Sequence, residues 1–162
     1  GGIVALATAL ALILVMPAAT SPAPSAAPGG PPSAWEAWSP AALMTARTAN
    51  AGVFVDFTAA WCVTCQVNKR LVLARDVVLA DFAKAGVHLM RADWTRHDPG
   101  ITRALAALGR SGVPVYALYP PRGEPILLPE VLTHTSILAA LARLPDAGQH
   151  ASRTSLSTDK RK

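Results

Sequence analysis

The chain has 162 residues, of which 51% are hydrophobic and only 15% are charged. This composition excludes disorder along the whole length, and the length suits one domain of ordinary size with appendages. Two cysteines are too few for a scaffold stapled by several disulfides or for a four-thiolate zinc site. The net charge of +5 does not predict a nucleic-acid-binding face, because much of it lies in the last ten residues. There, Arg153, Lys160, Arg161 and Lys162 are opposed only by Asp159.

The sequence begins with an apolar run that carries no charge from residue 3 to residue 19 and is interrupted only by Thr8 and Pro17. As a helix this run would be about 25 Å long, the short end of what spans a bilayer. Residues 1–19 are therefore predicted to be either the last transmembrane helix of a larger membrane protein or a signal segment. A buried helix of a soluble domain is the third interpretation, although uncharged stretches of this length are uncommon there.

Composition sets the remaining boundaries. Residues 20–32 are almost entirely Pro, Ala, Ser and Gly, which have little to bury, so we assign residues 20–38 to a linker. Residues 146–162 are small and polar and are predicted to form a disordered basic tail. The folded domain is expected between these limits, over residues 39–145.

Helical and strand patterns alternate along the folded part. Pro40 stands in the first turn of a predicted helix that ends at Asn50, and residues 53–57 form a short apolar run typical of a strand covered on both faces. In chain order the patterns predict a helix over 40–50, a strand over 53–57, a helix from the cysteine pair through Leu71, a helix over 76–85, a strand over 87–94, a helix over 98–108, a strand over 113–119, a turn at 120–123, a strand over 126–128 and a helix over 135–144. This order predicts an α/β fold with a central mixed β-sheet flanked by helices.

The chemistry of the sequence is concentrated in the motif Cys62-x-x-Cys65, which follows a predicted strand and opens a predicted helix. A helix N-terminus presents free N–H groups and a partial positive charge, so we expect the pKa of the Cys62 thiol to be lowered. Cys65 lies one turn further into the helix, where it is placed to resolve a mixed disulfide. The motif therefore predicts a redox-active dithiol.

Metal and haem sites are the competing interpretations of the same motif. Haem attachment would require a histidine where Gln66 stands, and a zinc site would need two more ligands from histidines that form no paired motif. These histidines are His88, His97, His134 and His150. No Gly-rich dinucleotide-binding motif follows a strand, so no flavin or nicotinamide cofactor is predicted. Because the haem and zinc patterns are incomplete as well, no metal is predicted, and the two cysteines are expected to be the redox group themselves.

Residues 55–65, VDFTAAWCVTC, resemble the active-site segment of the thioredoxin superfamily. More narrowly, the chain resembles the C-terminal thioredoxin-like domain of the DsbD family of transmembrane thiol:disulfide interchange proteins. Three motifs carry this resemblance in the right order: CVTCQVN at 62–68, ADWT at 92–95 and GRSGVP at 109–114. The similarity covers residues 40–144 and implies a thioredoxin-like fold.

The resemblance implies catalytic roles for three residues. Cys62 would be the nucleophile and Cys65 the resolving thiol. Asp56, six residues before Cys62, would be a buried acid beneath the disulfide that has a pKa raised by desolvation and exchanges the proton of Cys65. A strand-end position turned to water is the alternative for Asp56, and its apolar neighbours Val55 and Phe57 disfavour it.

Three further residues are implied in substrate binding. Pro114 matches the superfamily's cis-proline, which packs against the disulfide and presents backbone to an incoming chain, and Val113 precedes it. Trp61 would either shield Cys62 or simply pack in the core. Trp94 is expected to be structural.

One departure from the family concerns the active-site helix. Relatives can carry a second acidic residue near its start, whereas Lys69 and Arg70 follow Asn68 in this chain. Cations favour a thiolate and hence the reduced form. We therefore expect a somewhat more oxidising potential than in an acid-bearing relative.

The function that the resemblance implies is that of a protein-disulfide reductase anchored in the bacterial inner membrane and facing the periplasm. Cysteines of an upstream membrane domain would donate electrons, and a periplasmic thiol–disulfide protein would accept them, in support of disulfide repair or cytochrome c maturation. Three alternatives stay open: a stand-alone membrane-anchored reductant for one client, a non-catalytic binding module with the same fold, and a dithiol that binds a soft metal such as copper.

Overall fold

The computed structural model describes residues 34–145. The predicted membrane or signal segment (1–19), most of the predicted linker and the predicted basic tail (146–162) lie outside the described residues. Within the described part, no helix is long and apolar enough to cross a membrane.

From residue 40 onward, strands and helices follow one another in the predicted order, and one unpredicted strand precedes them. Their bounds are β1 Trp35–Ala37, α1 Pro40–Thr48, β2 Gly52–Thr58, α2 Val63–Asn68, a π-helical segment Lys69–Leu73, α3 Asp76–Lys84, β3 Val87–Asp93, α4 Pro99–Ala107, β4 Val115–Tyr119, β5 Ile126–Leu128 and α5 His134–Leu141. The predicted α/β fold is confirmed. The predicted helix after the cysteine pair widens into the π-helical segment, which the sequence patterns did not indicate.

The described strands form a mixed sheet in the order β1-β3-β2-β4-β5. Strands β1, β3 and β2 are parallel, because the helices between β2 and β3 return the chain to the same end of the sheet. Strands β2 and β4 pair antiparallel, and β5 pairs antiparallel with β4 through a short hairpin connection. The sheet is therefore mixed, as the sequence predicts.

Strand β2 is the centre of the molecule, and all seven of its residues are buried. Its side chains alternate between two hydrophobic cores, one beneath α1 and α4 and the other beneath α3 and α5. Phe57 belongs to the first core and Phe54 to the second. The polar Asp56 and Thr58 are buried on the same side of the strand as Phe54, the side on which Asn68 of α2 bonds the Tyr116 hydroxyl.

Strand β1 corrects the predicted domain boundary. Residues Trp35–Ala37 fall within the predicted linker (20–38), but they pair in parallel with the edge of β3, Trp35 opposite Leu89. The Trp35 ring lies edge-on to Phe54 at 6.1 Å, and the Arg91 guanidinium lies 4.4 Å from its centroid. Three residues are too few to show the alternating pattern of a strand. They form a strand only because they pair with the edge of β3. The folded part therefore begins before residue 39.

Candidate functional site

The cysteine pair stands where the central strand turns into a helix. β2 ends at Thr58, and Cys62 is the N-cap of α2, with an extended backbone. The backbone N–H of Cys65 donates a hydrogen bond to Cys62 Sγ at 3.2 Å. The two sulfurs form a disulfide with an S–S distance of 2.05 Å and a Cα–Cα distance of 5.3 Å. The predicted position of the motif at a strand–helix junction is confirmed.

Both cysteines are buried, but they differ slightly in exposure to solvent. Cys62 retains 6% of its surface and Cys65 none. After reduction, the Cys62 sulfur would lie at the N-terminal end of α2, where the helix dipole and the Cys65 N–H favour a thiolate. Cys62 is therefore the more exposed of the two residues, and the division into an attacking and a resolving thiol stays a prediction.

The loop before β4 brings Val113 to the disulfide. The Val113–Pro114 peptide bond is cis, as the resemblance implies. Val113 is half-buried and packs against the small cluster formed by Ala59, Cys62 and Cys65. Val113 thus contacts the cysteine cluster although it is about fifty residues away along the chain, and Pro114 follows it in the same loop.

Asp56 is fully buried in β2, so the alternative of a side chain turned to water is wrong. Its Oδ2 accepts a hydrogen bond from Arg91 Nε at 2.9 Å, and the two residues are register partners in β2 and β3. Its Oδ1 is buried with no hydrogen-bond partner among the described residues. Burial raises the pKa of the Asp56 carboxyl, and the opposing effects of Arg91 and, more weakly, Lys69 do not cancel this.

Charged and polar groups surround Asp56 within the sheet and under the helix. Lys69 is half-buried, and burial lowers its pKa while the Asp56 carboxylate opposes that change. Tyr116 is the register partner of Asp56 in β4, and burial raises its pKa to about 12. The Tyr116 hydroxyl accepts a hydrogen bond from Asn68 Nδ2 at 2.9 Å. No local pattern in the sequence indicates a role for Arg91 or Tyr116, because only the strand register places them beside Asp56.

Trp61 lies at the surface next to Cys62 and is not a core residue. Its side chain is 52% exposed, and its Nε1–H donates to the Thr95 carbonyl at 3.2 Å. The His97 ring stacks on it at a centroid distance of 5.8 Å. Trp94 is buried and donates from Nε1 to Thr102 Oγ1 at 2.8 Å, as expected of a structural residue. Of the two interpretations of Trp61, simple core packing is therefore wrong.

Metal ligands are not gathered elsewhere in the described part of the chain. Among residues 34–145, no group of three or more His, Cys, Asp or Glu side chains is placed to hold a metal ion. Of the four histidines, His150 lies outside these residues. The redox group of the site is the Cys62–Cys65 disulfide itself.

Known proteins share this architecture. Residues 34–121, more than half of the chain, match the family model for thioredoxin-like proteins. The C-terminal domain of DsbD from Neisseria meningitidis in its reduced form is 20% identical, with 65% of this chain and 96% of that chain covered and a TM-score of 0.54. A thioredoxin from Thermus thermophilus is also 20% identical, with 73% and 91% covered and a TM-score of 0.56. At these identities the two structures share the fold. No curated protein sequence matches the chain significantly.

The family match and the site geometry agree with each other. The matched residues contain β2, the cysteine pair, β3 and the cis-proline loop, which together build the site around the disulfide. The chain therefore belongs to the thioredoxin-like family and is a thiol–disulfide oxidoreductase whose redox-active group is the Cys62–Cys65 pair.

Proposed function

We propose that the protein is a membrane-anchored, periplasm-facing protein-disulfide reductase that relays electrons as the C-terminal domain of the DsbD family does. The cysteines of an upstream membrane domain would reduce it, and a periplasmic thiol–disulfide protein would reoxidise it. The motifs CVTCQVN, ADWT and GRSGVP and the apolar segment ahead of the linker support this assignment. The observation that carries it is the Cys62–Cys65 disulfide at the N-terminus of α2, next to a central strand that holds the fully buried Asp56.

The reduced pair would transfer two electrons in two exchange steps. The Cys62 thiolate attacks one sulfur of the partner disulfide, a mixed disulfide forms and one partner thiolate leaves. The Cys65 thiol then loses its proton, and its thiolate attacks Cys62 Sγ, which releases the second partner thiolate and restores the Cys62–Cys65 disulfide. The ionised Asp56 carboxyl would accept the Cys65 proton in this second step. Desolvation raises the pKa of the Asp56 carboxyl and so brings it closer to the pKa of a thiol.

The experiment that tests this function is a redox titration of the full chain against glutathione buffers, with alkylation of the thiols followed across pH. We expect a reversible two-electron couple with a potential well below about −120 mV, the value of a strong periplasmic oxidant, and faster alkylation of Cys62 than of Cys65. A strongly oxidising potential would instead support an oxidase or isomerase. No reversible couple would favour the binding-module or metal-binding alternative.

A trapping experiment separates the relay from a dedicated reductant. Cys65→Ser leaves Cys62 able to form a mixed disulfide that is not resolved, so partners stay attached and can be identified. Capture of a membrane donor together with a periplasmic acceptor supports the relay. Capture of one client without such a donor supports the stand-alone reductant, and a coding region without membrane helices upstream would agree with it.

A further inference from the structure

Large apolar side chains are exposed on both sides of the reactive cysteine. Trp61 is 52% exposed, Val63 76%, Val67 47% and Leu71 66%, and all four lie within eleven residues of sequence. Isolated exposed apolar side chains are normal on a protein surface, but a contiguous group of them marks a site of interaction. We call these four residues the apolar stripe.

The helix geometry makes the stripe continuous with the disulfide. Val63, Val67 and Leu71 are spaced by four residues, so they share one face of α2 and of the π-helical segment that follows. This row begins at the residue after Cys62 and extends about 12 Å along the helix. Trp61 is the residue before Cys62. Both residues adjacent to Cys62 in the sequence, Trp61 and Val63, therefore belong to the stripe.

The charged residues of the segment that carries the stripe have one sign. Residues 58–75 contain Lys69, Arg70 and Arg75 and no acidic residue. Lys69 is half-buried and interacts with Asp56, whereas Arg70 and Arg75 are exposed. Asp76 follows at the start of α3, so the helix that carries the stripe is basic until its end.

We propose that the apolar stripe docks an acidic, apolar segment of the partner protein, located beside the partner's redox-active cysteine. The inference rests on the proposed function, because it assigns the class of polypeptide that exchanges disulfides with Cys62. Charge complementarity with Arg70 and Arg75 selects acidic residues, and the stripe selects apolar ones. The exposed Glu130, in the loop whose carbonyl accepts a hydrogen bond from Asn68, adds one opposing charge nearby. A bilayer on the stripe would cover Cys62 without supplying a disulfide, whereas a docked protein segment brings its own cysteine to the Cys62 sulfur. The site therefore fits a protein segment better than a membrane surface.

The test measures the exchange rate of the reduced full chain with three cysteine peptides, each carrying a thionitrobenzoate group on its sulfur. One peptide has Glu and Leu around the cysteine, the second has Lys and Leu, and the third has Glu and Ser. Attack of Cys62 on the peptide sulfur releases thionitrobenzoate, which is measured by absorbance. We expect the Glu–Leu peptide to react about tenfold faster than either other peptide at low salt, and its advantage over the Lys–Leu peptide to shrink as salt rises.

Variants then show which side chains account for the preference among the three peptides. The double variant Val67→Ser/Leu71→Ser should slow the Glu–Leu peptide about tenfold while the rate with neutral bis(2-hydroxyethyl) disulfide stays at the parent value. The control Met44→Ser/Leu138→Ser removes side chains of similar exposure, 61% and 44%, from α1 and α5 and should keep the parent preference. Arg70→Glu should reverse the preference between Glu and Lys peptides, whereas Arg122→Glu in the hairpin turn should not.

The outcomes separate this inference from the proposed function. Equal rates with the three peptides, or equal losses in the stripe and control variants, would overturn the docking site while leaving the exchange activity intact. No exchange even with bis(2-hydroxyethyl) disulfide would contradict the proposed function instead. Fluorescence anisotropy of the peptides with Cys replaced by Ser would then still decide whether the stripe binds the Glu–Leu sequence. Stripe-dependent protection of Cys62 by phosphatidylglycerol vesicles, without peptide discrimination, would overturn the proposal in favour of a membrane surface.

Discussion

Asp56 and Arg91 pair a fully buried carboxyl with a partly exposed guanidinium. Asp56 is the one fully buried carboxylate among residues 34–145, and its bond to Arg91 satisfies only one of its oxygens. Arg91 is partly exposed and keeps part of its hydration. The Coulomb attraction of the pair therefore offsets only part of the desolvation of Asp56, and the pKa of the carboxyl stays raised.

Asp56→Asn should change the dependence of stability on pH. The folded state binds the Asp56 proton more tightly than the unfolded chain, because the pKa is raised on folding. This contribution to stability is complete below about pH 4 and is lost as the pH rises through the folded-state pKa, by about 1.4 kcal/mol for each pH unit between the two pKa values. Urea unfolding of the oxidised protein between pH 4 and pH 8 should show the variant gaining stability relative to the parent as the pH rises. Parallel profiles for the two proteins would contradict this expectation.

Lys69→Glu should make the reduction potential more negative. Lys69 lies one helical turn after Cys65 and interacts electrostatically with Asp56, so its charge favours the thiolates of the reduced pair. Equilibration with glutathione should show a decrease of up to about 30 mV, a tenfold change in the equilibrium constant. Lys69→Gln should give an intermediate value, and Lys84→Glu on the exposed face of α3 should leave the potential unchanged. Equal potentials in Lys69→Glu and the parent would refute the role of this charge.

At the scale of elements, the π-helical segment lets the active-site helix turn two residues to the core at once. Asn68 and Leu73 are five residues apart and both are buried. In an α-helix such residues point in different directions, whereas in a π-helical turn residues i and i+5 share one face. Asn68 then reaches the loop before α5, where its side chain donates to the Glu130 carbonyl at 2.7 Å and accepts from the Leu132 N–H at 3.2 Å.

Asn68→Ala should therefore destabilise the fold strongly for a single substitution. It removes the bonds to Tyr116, Glu130 and Leu132 and leaves the loop backbone groups unpaired, at a cost of about 2–4 kcal/mol. Denaturant unfolding measures the free-energy change. Thr48→Ala removes an exposed hydrogen bond and should stay within about 0.5 kcal/mol of the parent. A loss below 1 kcal/mol for Asn68→Ala would show that the loop is held by its apolar contacts alone.

At the scale of the whole molecule, the mixed sheet brings together three distant parts of the chain. β2 leads into the cysteine pair, and β3 carries Arg91. The loop before β4 carries Val113 and the cis-linked Pro114. β1 covers the outer edge of β3, and its Trp35 packs on Phe54 and Arg91. The edge strand β1 therefore supports Arg91, the residue that pairs with Asp56.

A chain that begins at Ser39 should be less stable than one that begins at Ala34. The shorter chain loses β1 and re-exposes the surface that Trp35 covers, which costs about 2–3 kcal/mol. Thermal or urea unfolding of the two chains gives the difference, and Trp35→Ala in the longer chain should reproduce most of it. Equal stability would mean that the folded domain begins at residue 39, as composition alone suggested.

The sequence by itself determined the order of helices and strands from residue 40 onward, the place of Cys62 and Cys65 at a strand–helix junction and the burial of Asp56. These features depend on residues a few positions apart, where periodicity, caps and apolar neighbours act. Only the tertiary structure decided the Asp56–Arg91 pair, the strand at Trp35–Ala37 and the π-helical turn. Strand register, a free sheet edge and a loop more than sixty residues away fix these features, and no local pattern in the sequence records them.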